Sequence, residues 1–401
     1  METLDGEIRA FLPEPDRRAR LSREAAALKQ RFPQPASRPA LYGLLVGVKD
    51  IFRVDGFPTR AGSQLPAELF DGPEATSVSA LRSMGALVLG KTVSTEFAYR
   101  EPGPTRNPHK LDHTPGGSSS GSAAAVAAGF CPLALGTQTI GSVIRPAAYC
   151  GVVGYTPSRG RISTEGVISF STTVDVVGLF TQDVAGMRLV ASLLCGNWRP
   201  DLSDTPVSKL PVLGVPAGAY LEQASREALD AFERQLKVLE KAGCSLRRVR
   251  ILDNIEEIAA RHEKMIAMEM AQTHDRWFNE YEPLYRPQTA AIIRRGQSVA
   301  AEEIVESRAS CQQLRAHLQQ LMAEKALNLW VSPAAPGPAP EGLNSTGSPA
   351  MNLPWTHAGL PTVSVPAGQS SNGLPLGVQL VGPFMGDEYL LMSAEMLAKN
   401  F

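Results

Sequence analysis

A stretch of 70 residues, 113–182, is almost free of charge, and this limits what the chain can fold into. Charged residues make up 20% of the whole sequence but occupy only five positions of this stretch. These positions are Arg145, Arg159, Arg161, Glu165 and Asp175. A segment of this composition is expected to lie mostly out of water. Because charges are costly to bury, we expect the few that remain to be paired or to serve a function.

The uncharged run 113–144 within this stretch has to be distinguished from a membrane span. Pro115, Pro132 and several glycines interrupt it, and serine and threonine are frequent. A spanning helix needs ~20 predominantly apolar residues in one piece. We therefore interpret the run as the interior of a soluble protein, where one segment of chain passes close to another.

The overall charge argues against two classes of partner. Lysine and arginine total 39 and aspartate and glutamate total 40, which gives a net charge of −1. A protein that grips nucleic acid through a basic surface, or a membrane through a polybasic segment, carries an excess of positive charge. The sequence therefore predicts neither kind of binding.

The cysteines and histidines indicate the cellular compartment of the protein and whether it binds a metal. The five cysteines are far apart and include no CxxC pair, which predicts reduced thiols in a cytoplasmic chain. The N-terminus has no apolar core of a signal peptide. The histidines form no spaced ligand pair, so we expect no metal.

Short apolar runs alternate with helical patterns along the first part of the chain. The runs 44–49 and 86–92 suit buried strands, whereas 76–86 and the alanine-rich 122–130 suit helices. This alternation predicts an α/β fold: a single large domain with a mixed, mostly parallel central β-sheet covered by helices on both faces.

One domain is expected to span residues 1–401, because no independent linker is visible. Composition divides it into an N-terminal helical arm (1–35), a core (40–200), a charge-rich helical insertion (205–330), and C-terminal strands with a helix (331–401). The helical patterns 225–243 and 301–326 each place apolar residues on one face. We expect the walls of a substrate pocket to come from 180–340.

Three features point to catalysis, although each also has a structural interpretation. The Gly/Ser run 115–129 can present backbone N–H groups to an anion, or it is a flexible linker. The segment GTQTIGSVIRPAAYCG (136–151) suggests a turn whose N–H groups face an oxyanion, or a buried structural turn. Lys49 ends an apolar strand. Burial lowers a lysine pKa and can make the amine a base; the alternative is that Lys49 reaches water or pairs with Asp50.

Taken together, these segments resemble the amidase signature family over nearly the whole chain. The similarity includes the lysine strand GVKD (47–50), the signature region in 105–129 and 136–163, and the C-terminal strands GLPTVSVPAG and GLPLGVQLVG. The resemblance implies an amidohydrolase that cleaves the C–N bond of a small amide through an acyl-enzyme.

The Ser–Ser–Lys triad of that family assigns roles to three residues of this chain. The resemblance implies that Ser142 is the nucleophile, Ser118 the bridging serine with a cis peptide bond, and Lys49 the base. It also implies that an oxyanion hole is formed by the N–H groups of Thr139, Ile140, Gly141 and Ser142. The hydroxyls of Ser119 and Ser120 are expected to form hydrogen bonds within the loop.

Two departures from the common family pattern bear on the substrate. Many members have Asp where this chain has Gln138 and Gly where it has Ile140, so we expect Ile140 to narrow the oxyanion loop. The arginine after the nucleophile is third rather than second, as in the malonamidase branch, where it binds the substrate's free carboxylate. Arg145 is therefore expected to bind substrate, with Gly117 and Ser119 as further contacts; the alternative is that Arg145 pairs with an internal acid.

Three functions fit this resemblance. The first is hydrolysis of a small amide, with a carboxylate-bearing amide as one form. The second is the glutamine-amidase subunit of a tRNA-dependent amidotransferase, and the third is a non-catalytic homologue that acts as a binding subunit. The short chain and the Gln138/Arg145 pattern favour the first. We then expect a small-molecule amide and a second copy in a homodimer as partners, with no nucleic acid, no membrane and no cofactor.

Overall fold

A computed structural model describes residues 2–203 and 209–401. The strands within them are β1 (Leu45–Lys49), β2 (Leu87–Thr92), β3 (Leu133–Gln138), β4 (Val153–Thr156), β5 (Val176–Thr181), β6 (Val212–Ala217), β7 (Ser245–Arg250), β8 (Leu329–Pro333), β9 (Thr362–Gln369) and β10 (Pro375–Val381). All of them belong to one sheet with the order β2-β1-β3-β5-β4-β9-β10-β8-β6-β7. The strands predicted from the two apolar runs are β1 and β2.

Parallel pairs lie at the two flanks of this sheet and antiparallel pairs in its middle. β1 pairs parallel with β2 and β3, and β6 pairs parallel with β7 and β8. The other five of the nine pairings between described strands are antiparallel. The α/β class and the mixed sheet are thereby confirmed, but parallel pairs are not the majority. Antiparallel strands accept short connections, as between β9 and β10, whereas a parallel pair needs a long crossover.

Helices connect and cover the strands. They are α1 (Glu2–Ile8), α2 (Arg17–Arg31), α3 (Thr76–Ser83), α4 (Ser120–Ala127), α5 (Ile144–Cys150), α6 (Val184–Leu194), α7 (Pro200–Ser203), α8 (Ala219–Glu222), α9 (Arg226–Lys241), α10 (Ile255–Tyr281), α11 (Pro287–Gln297), α12 (Ala301–Glu324), α13 (Leu353–Ala358) and α14 (Asp387–Ala398). Short 3₁₀ helices occur at Pro35–Ser37, Ala67–Phe70, Glu96–Ala98 and Glu282–Leu284.

Both faces of the sheet are covered, as successive residues of β3 show. Leu133 and Leu135 belong to the main hydrophobic core, whereas Ala134 packs in a second cluster with the alanines of α4. Neighbouring side chains of a strand point to opposite faces. A strand that is buried on both faces therefore reads as a continuous apolar run, which is how LALG appears in the sequence.

The Gly/Ser run forms the packed start of α4 and is not a flexible linker. A side chain at Gly121 would place its Cβ 2.2 Å from the carbonyl oxygen of Ala10 and 2.4 Å from the backbone nitrogen of Val93. Backbone hydrogen bonds from Val93 to Ala10 and from Leu12 to Lys91 hold the N-terminal segment in this position. Only glycine permits this close approach of two backbones.

Long helices make up much of the charge-rich part of the chain. In α9 the buried residues include Ala228, Phe232, Leu236 and Leu239, which the apolar pattern predicted. The helix α10, Ile255–Tyr281, packs against both α11 and α12. Residues 204–208, which include the start of the predicted helical insertion, lie outside the described residues, as does residue 1.

The uncharged run 113–144 contains α4, β3, the segments before and between them, the loop 139–143 and the first residue of α5. Nearly all of its residues are buried. Across residues 2–203 and 209–401, no helix combines the length and the apolar composition that crossing a membrane requires. All five cysteines are buried and carry free thiols.

Candidate active site

Lys49 is the last residue of β1, and its side chain is completely buried. Its Nζ lies 2.7 Å from Ser118 Oγ and 2.8 Å from Thr137 Oγ1. Burial lowers the pKa of Lys49 to about 7, because desolvation of the ammonium outweighs the opposing influence of Asp175. About half of the amine is therefore neutral near pH 7, so it can accept a proton.

Asp50 does not pair with Lys49, although the sequence allowed this. Its carboxylate is buried and forms an ion pair of 2.8 Å with Lys91 on the neighbouring strand β2. The backbone turns after Lys49, so the two adjacent side chains point to different partners. The interpretation of Lys49 as a lysine neutralised by its neighbour is therefore wrong.

Ser118 follows a cis peptide bond to Gly117, in the loop that leads into α4. The next two hydroxyls point elsewhere. Ser119 Oγ donates to a backbone carbonyl of β3 at 3.2 Å, and Ser120 Oγ donates to a carbonyl of its own loop at 2.7 Å. Of the three consecutive serines, Ser118 is the one whose hydroxyl contacts the buried lysine.

Ser142 lies in the loop 139–143 between β3 and α5, at the edge of a cavity of about 380 Å³. The backbone N–H of Ser119 donates to the carbonyl oxygen of Ser142 at 3.4 Å, so the loop that carries Ser118 adjoins the loop that carries Ser142. The N–H groups of residues 139–142 donate to no acceptor within the described parts of the chain. Unpaired N–H donors beside a hydroxyl can stabilise an oxyanion that forms there.

Three segments and two further residues line the cavity. Residues 98–100, 139–142 with Arg145, and 344–349 form most of the wall, and Phe170 and Gln288 complete it. Two of these residues, Arg100 and Arg145, are cationic, and none of the described lining residues is acidic. The cavity therefore favours an anionic ligand.

Gln138 holds the loop that carries Ser142. Its Oε1 accepts the N–H groups of Val143 at 2.9 Å and Ile144 at 3.1 Å. Its Nε2 donates to Thr356 Oγ1 at 2.9 Å, and that hydroxyl donates to the carbonyl of Ile140 at 2.7 Å. An aspartate at this position has no hydrogen to donate, so the glutamine adds a link from the loop to α13.

Gly141 is required for the same loop to pack. A Cβ at this position would lie 2.4 Å from Asn352 Oδ1 and 2.9 Å from Pro349 Cβ. The neighbouring Ile140 is 8% exposed and lines the cavity. The expected narrowing of the loop by Ile140 stays a prediction.

Asp175 supports the loop from the side of β5. It is partly buried, and its Oδ1 accepts a hydrogen bond of 2.6 Å from Thr139 Oγ1. Its Oδ2 accepts from the backbone of Phe170 at 2.8 Å and of Ser171 at 2.9 Å. Desolvation raises the pKa of this carboxyl despite these bonds. Asp175 is thus a fixed acceptor that also influences Lys49.

A pair of buried histidines holds the same loop from the helical side. His262 Nε2 lies 3.1 Å from the carbonyl oxygen of Thr139, and its Nδ1 lies 3.1 Å from Nδ1 of His357. Because Thr139 O can only accept, His262 carries a proton on Nε2. His357 Nε2 lies 2.8 Å from Ser310 Oγ, which donates to the carbonyl oxygen of Ser307 at 2.7 Å. Burial lowers the pKa of His262 to about 4 and of His357 to about 2, so both rings are neutral at pH 7.

Arg145 is a buried cation without an acidic partner among the described residues. It is 5% exposed, and its Nη2 donates to the carbonyl of Gly117 at 2.6 Å and to Thr346 Oγ1 at 3.2 Å. Its Nε has no hydrogen-bond partner. Desolvation lowers the pKa of Arg145 to about 10, which leaves it charged at pH 7. Within residues 2–203 and 209–401, Arg145 therefore does not pair with an internal acid, contrary to that alternative.

The structure brings Lys49 and Ser118 into contact and places Ser142 and Arg145 at one cavity. It does not place Gly117 or Ser119 among the residues that line this cavity. The predicted source of the pocket walls is also wrong, since Gln288 is the one described lining residue from 180–340. The walls come instead from loops that follow the core strands.

Sequence reasoning missed several residues of the site. Asp175 carried a signal, because it is one of the few charges in the uncharged stretch. Thr137, His262, Thr346 and Thr356 carried none, since ordinary polar residues gain their roles here from contacts with distant parts of the chain.

Residues 7–391 match the sequence profile of the amidase family. The chain belongs to this family. The resemblance found in the sequence is thereby confirmed, and the protein is an amidase, a hydrolase of amide bonds.

Curated relatives of this amidase include components of a larger enzyme. One of them, a subunit of the glutamyl-tRNA(Gln) amidotransferase of Trichlorobacter lovleyi, is 32% identical over 98% of this chain and 90% of its own length. The corresponding protein from Thermus thermophilus is also 32% identical, with the same shares of the two chains covered.

Solved structures similar to this amidase include other amidases. One described as an amidase superposes with a TM-score of 0.88 at 30% identity, covering 99% of this chain and 93% of the other. The peptide amidase of Stenotrophomonas maltophilia superposes with a TM-score of 0.79 at 25% identity, covering 98% and 89%.

The curated relatives overturn one expectation. From its sequence, this amidase was expected to have a small molecule and a second copy as partners, and no nucleic acid. The relatives bear the name of one subunit of an enzyme that acts on glutamyl-tRNA. Net charge was a poor guide because a catalytic subunit can belong to such an enzyme without carrying a basic surface itself.

Proposed function

We propose that this amidase hydrolyses a small, carboxylate-bearing amide with Ser142 as the nucleophile, Ser118 as the proton relay and Lys49 as the base. The observation that carries the proposal is the buried amine of Lys49, 2.7 Å from Ser118 Oγ and surrounded by hydroxyls instead of carboxylates. A lysine in such surroundings is neutral often enough to act as a base at pH 7.

The first half of the reaction forms an acyl-enzyme. Neutral Lys49 takes the hydroxyl proton of Ser118, which in turn takes the proton of Ser142 as its Oγ attacks the amide carbonyl carbon. The C–O bond forms while the carbonyl oxygen becomes an oxyanion. The free N–H groups of residues 139–142 are available to hydrogen-bond this oxyanion, and each such donor contributes about 10²–10³ in rate.

The second half releases the products. Collapse of the tetrahedral intermediate breaks the C–N bond, and Ser118 returns a proton to the leaving nitrogen while the Lys49 ammonium replaces the proton of Ser118. Water then attacks the acyl-enzyme by the same relay. The products are an acid and ammonia, or an amine, and the three side chains return to their starting protonation states.

Arg145 supplies the argument for a carboxylate on the substrate. A buried guanidinium that lacks an acidic partner is costly, and a bound carboxylate relieves that cost through charge-assisted hydrogen bonds. Its unpartnered Nε and its place beside Ser142 allow it to hold such a group within the cavity. Arg100 lines the same wall, but its guanidinium already pairs with Glu263 at 3.1 Å.

The catalytic roles are tested by ammonia release from primary amides. We expect Ser142→Ala to lower kcat/KM by at least ~10³-fold, because the nucleophile is lost. Ser345→Ala is the matched control, since this serine lines the same cavity but has no role in the relay. Equal activity of the Ser142→Ala variant and the wild type would overturn the proposal.

The substrate class is tested by pairing amide acids, such as malonamate and succinamate, with neutral amides of equal length. We expect the acids to be preferred, and Arg145→Gln to raise their KM about tenfold or more while neutral amides change little. A variant that loses activity equally on both kinds of amide would instead make Arg145 a support for the Ser118 loop.

A second candidate function is the amidase subunit of a tRNA-linked amidotransferase, which the names of the curated relatives favour. Glutamine carries an ammonium beside its carboxylate, and no acidic residue is present among the described lining residues of the cavity to bind it. Slow hydrolysis of glutamine by the isolated chain, stimulated by co-purifying proteins, would favour this second function over the first.

We also propose a cytoplasmic location, which the five buried free thiols support. In oxidising compartments, suitably placed cysteines form disulfides. Cell fractionation with an antibody against the native protein tests this, and recovery in an extracytoplasmic fraction would contradict it.

A further inference from the structure

A second cavity, of about 390 Å³, adjoins the catalytic one. Asn344 lines both of them. The second cavity is lined by three arginines, Arg9, Arg106 and Arg286, and by one acid, Glu101. We call it the arginine cavity.

The acid of the arginine cavity is already satisfied. Glu101 is 6% exposed; it forms an ion pair of 3.1 Å with Arg286 and accepts the backbone N–H of Gln288 at 2.7 Å. The side chains of Arg9 and Arg106 form neither an ion pair nor a hydrogen bond with any residue in 2–203 and 209–401. The cavity therefore carries two uncompensated positive charges in a protein of net charge −1.

The backbone holds these two arginines side by side. Arg9 has a left-handed conformation with φ of 57°, and its carbonyl accepts a hydrogen bond of 2.8 Å from Thr105 Oγ1. The N–H of Arg106 donates to the carbonyl of Ile8 at 2.8 Å. The nearby carboxylate of Asp5 accepts the N–H of Ala10 at 2.7 Å. Hydrogen bonds to backbone carbonyls thus hold the two arginines on adjoining segments of the chain.

We infer that the arginine cavity binds a second anionic group, a carboxylate or a phosphate, at the end of the substrate remote from the scissile amide. The inference rests on the proposed function and extends it from one anion to two. A substrate with one carboxylate bound to Arg145 would extend along Asn344, and its second anionic group would contact Arg9 and Arg106. Paired guanidinium groups bind planar or tetrahedral oxyanions through several N–H donors at once. A free inorganic anion offers the same chemistry, so the test separates the two sources.

The first arm of the test compares substrates that differ by one anionic group. Amides with a single carboxylate are paired with analogues of equal length that end in a second carboxylate or a phosphate. In the double variant Arg9→Gln/Arg106→Gln we expect kcat/KM for the two-anion amides to fall about tenfold or more, with the one-anion amides within about twofold of wild type. Arg23→Gln/Arg18→Gln is the control, since it removes the same charge from α2. An equal effect on both kinds of amide, or none, would overturn the assignment to the substrate.

The second arm measures binding without turnover. Inorganic phosphate is titrated by calorimetry into the full chain carrying Ser142→Ala, with and without Arg9→Gln/Arg106→Gln. Binding that the arginine changes weaken about tenfold or more supports the site even if no amide is hydrolysed, so a failure of the proposed function is distinguishable. Phosphate binding combined with no preference for two-anion amides would assign the site to a free anion. Equal phosphate binding to both proteins, with no substrate preference, would overturn the inference. Thermal melting of each variant verifies that it is folded.

Discussion

The surroundings of Lys49 differ from those of Lys91, although the two lysines lie on neighbouring strands and both are buried. In the parallel pair of β1 and β2, Lys91 stands opposite Val48, and Lys49 is the next residue. Burial lowers the pKa of each amine. Lys91 has the carboxylate of Asp50 at 2.8 Å, whereas Lys49 has two hydroxyls. Among the described residues, the two amines therefore differ in whether a carboxylate contacts them, and not in whether they are buried.

The largest expected effect is the loss of amide hydrolysis when Lys49, but not Lys91, is replaced. We expect Lys49→Met to lower kcat/KM by at least ~10³-fold, because the relay loses its base. The free energy of unfolding should change little, since methionine fills a similar volume and removes a buried amine. Amide hydrolysis and thermal melting of one preparation measure both quantities. Retention of activity in this variant would remove Lys49 from the mechanism.

The matched change at Lys91 is expected to have the opposite result. Lys91→Met leaves the buried carboxylate of Asp50 without its cation, which typically costs about 3–5 kcal/mol of unfolding free energy. The folded fraction should keep its activity per molecule. Urea unfolding, with activity measured below the transition, tests this. A stable Lys91→Met protein without activity would instead make Lys91 part of the site.

The pH profile should follow Lys49 alone. Because its pKa is lowered to about 7 and the neutral amine is the base, kcat/KM should rise about tenfold per pH unit below 7 and level off above it. Protonation at lower pH stops the relay, so activity is lost on the acid side. A profile measured with a neutral amide avoids titration of the substrate. No inflection between pH 6 and 8 would contradict the assignment of Lys49 as the base.

The sequence could predict Lys49 more readily than its surroundings. An apolar strand that ends in lysine is visible in the sequence, and the Gly/Ser loop and the segment 136–151 marked the family that the comparisons confirm. The ion pair between Asp50 and Lys91 depends on the pairing of β1 with β2. Local apolar runs in the sequence do not specify which strands pair. The middle of the sheet was mispredicted for the same reason, because the antiparallel pairing of β3 with β5 leaves no distinct local pattern in two fully buried strands.

The same limit applies to the walls of the site. The amphipathic spacing in α9 predicted its buried face, since such spacing is local. The cavity, in contrast, is completed by loops that lie far apart in the chain, such as 98–100 and 344–349. Nothing in the composition of these loops indicates that they meet Ser142.

A smaller effect is expected where neutral histidines hold the loop 139–143. His262→Asn shortens the side chain, so the contacts with Thr139 O and His357 are not both kept. We expect kcat to fall about tenfold with KM nearly unchanged, because the loop acts mainly in the transition state. His317→Asn, at an exposed position of α12, is the control. A loss confined to stability would mean that the pair merely fills the core.

The smallest expected effect concerns Asp175, a carboxylate that influences the pKa of Lys49 without forming an ion pair with it in the described structure. Asp175 favours the charged form of Lys49, although no ion pair joins them in the described structure, and Asp175→Asn removes this influence while Oδ1 can still accept from Thr139. The pKa of Lys49 should then fall further, so the acid limb of the pH profile should move to lower pH by less than about one unit. The loop 169–171 loses an acceptor in this variant, and Ser169→Ala is compared with it because that change removes a bond without removing charge. A shift that appears in Asp175→Asn and not in Ser169→Ala is electrostatic. A shift of the acid limb in both variants, or toward higher pH, would mean that the geometry of the loop sets the pKa of Lys49. The distance to a carboxylate would then not be enough to explain the difference between Lys49 and Lys91.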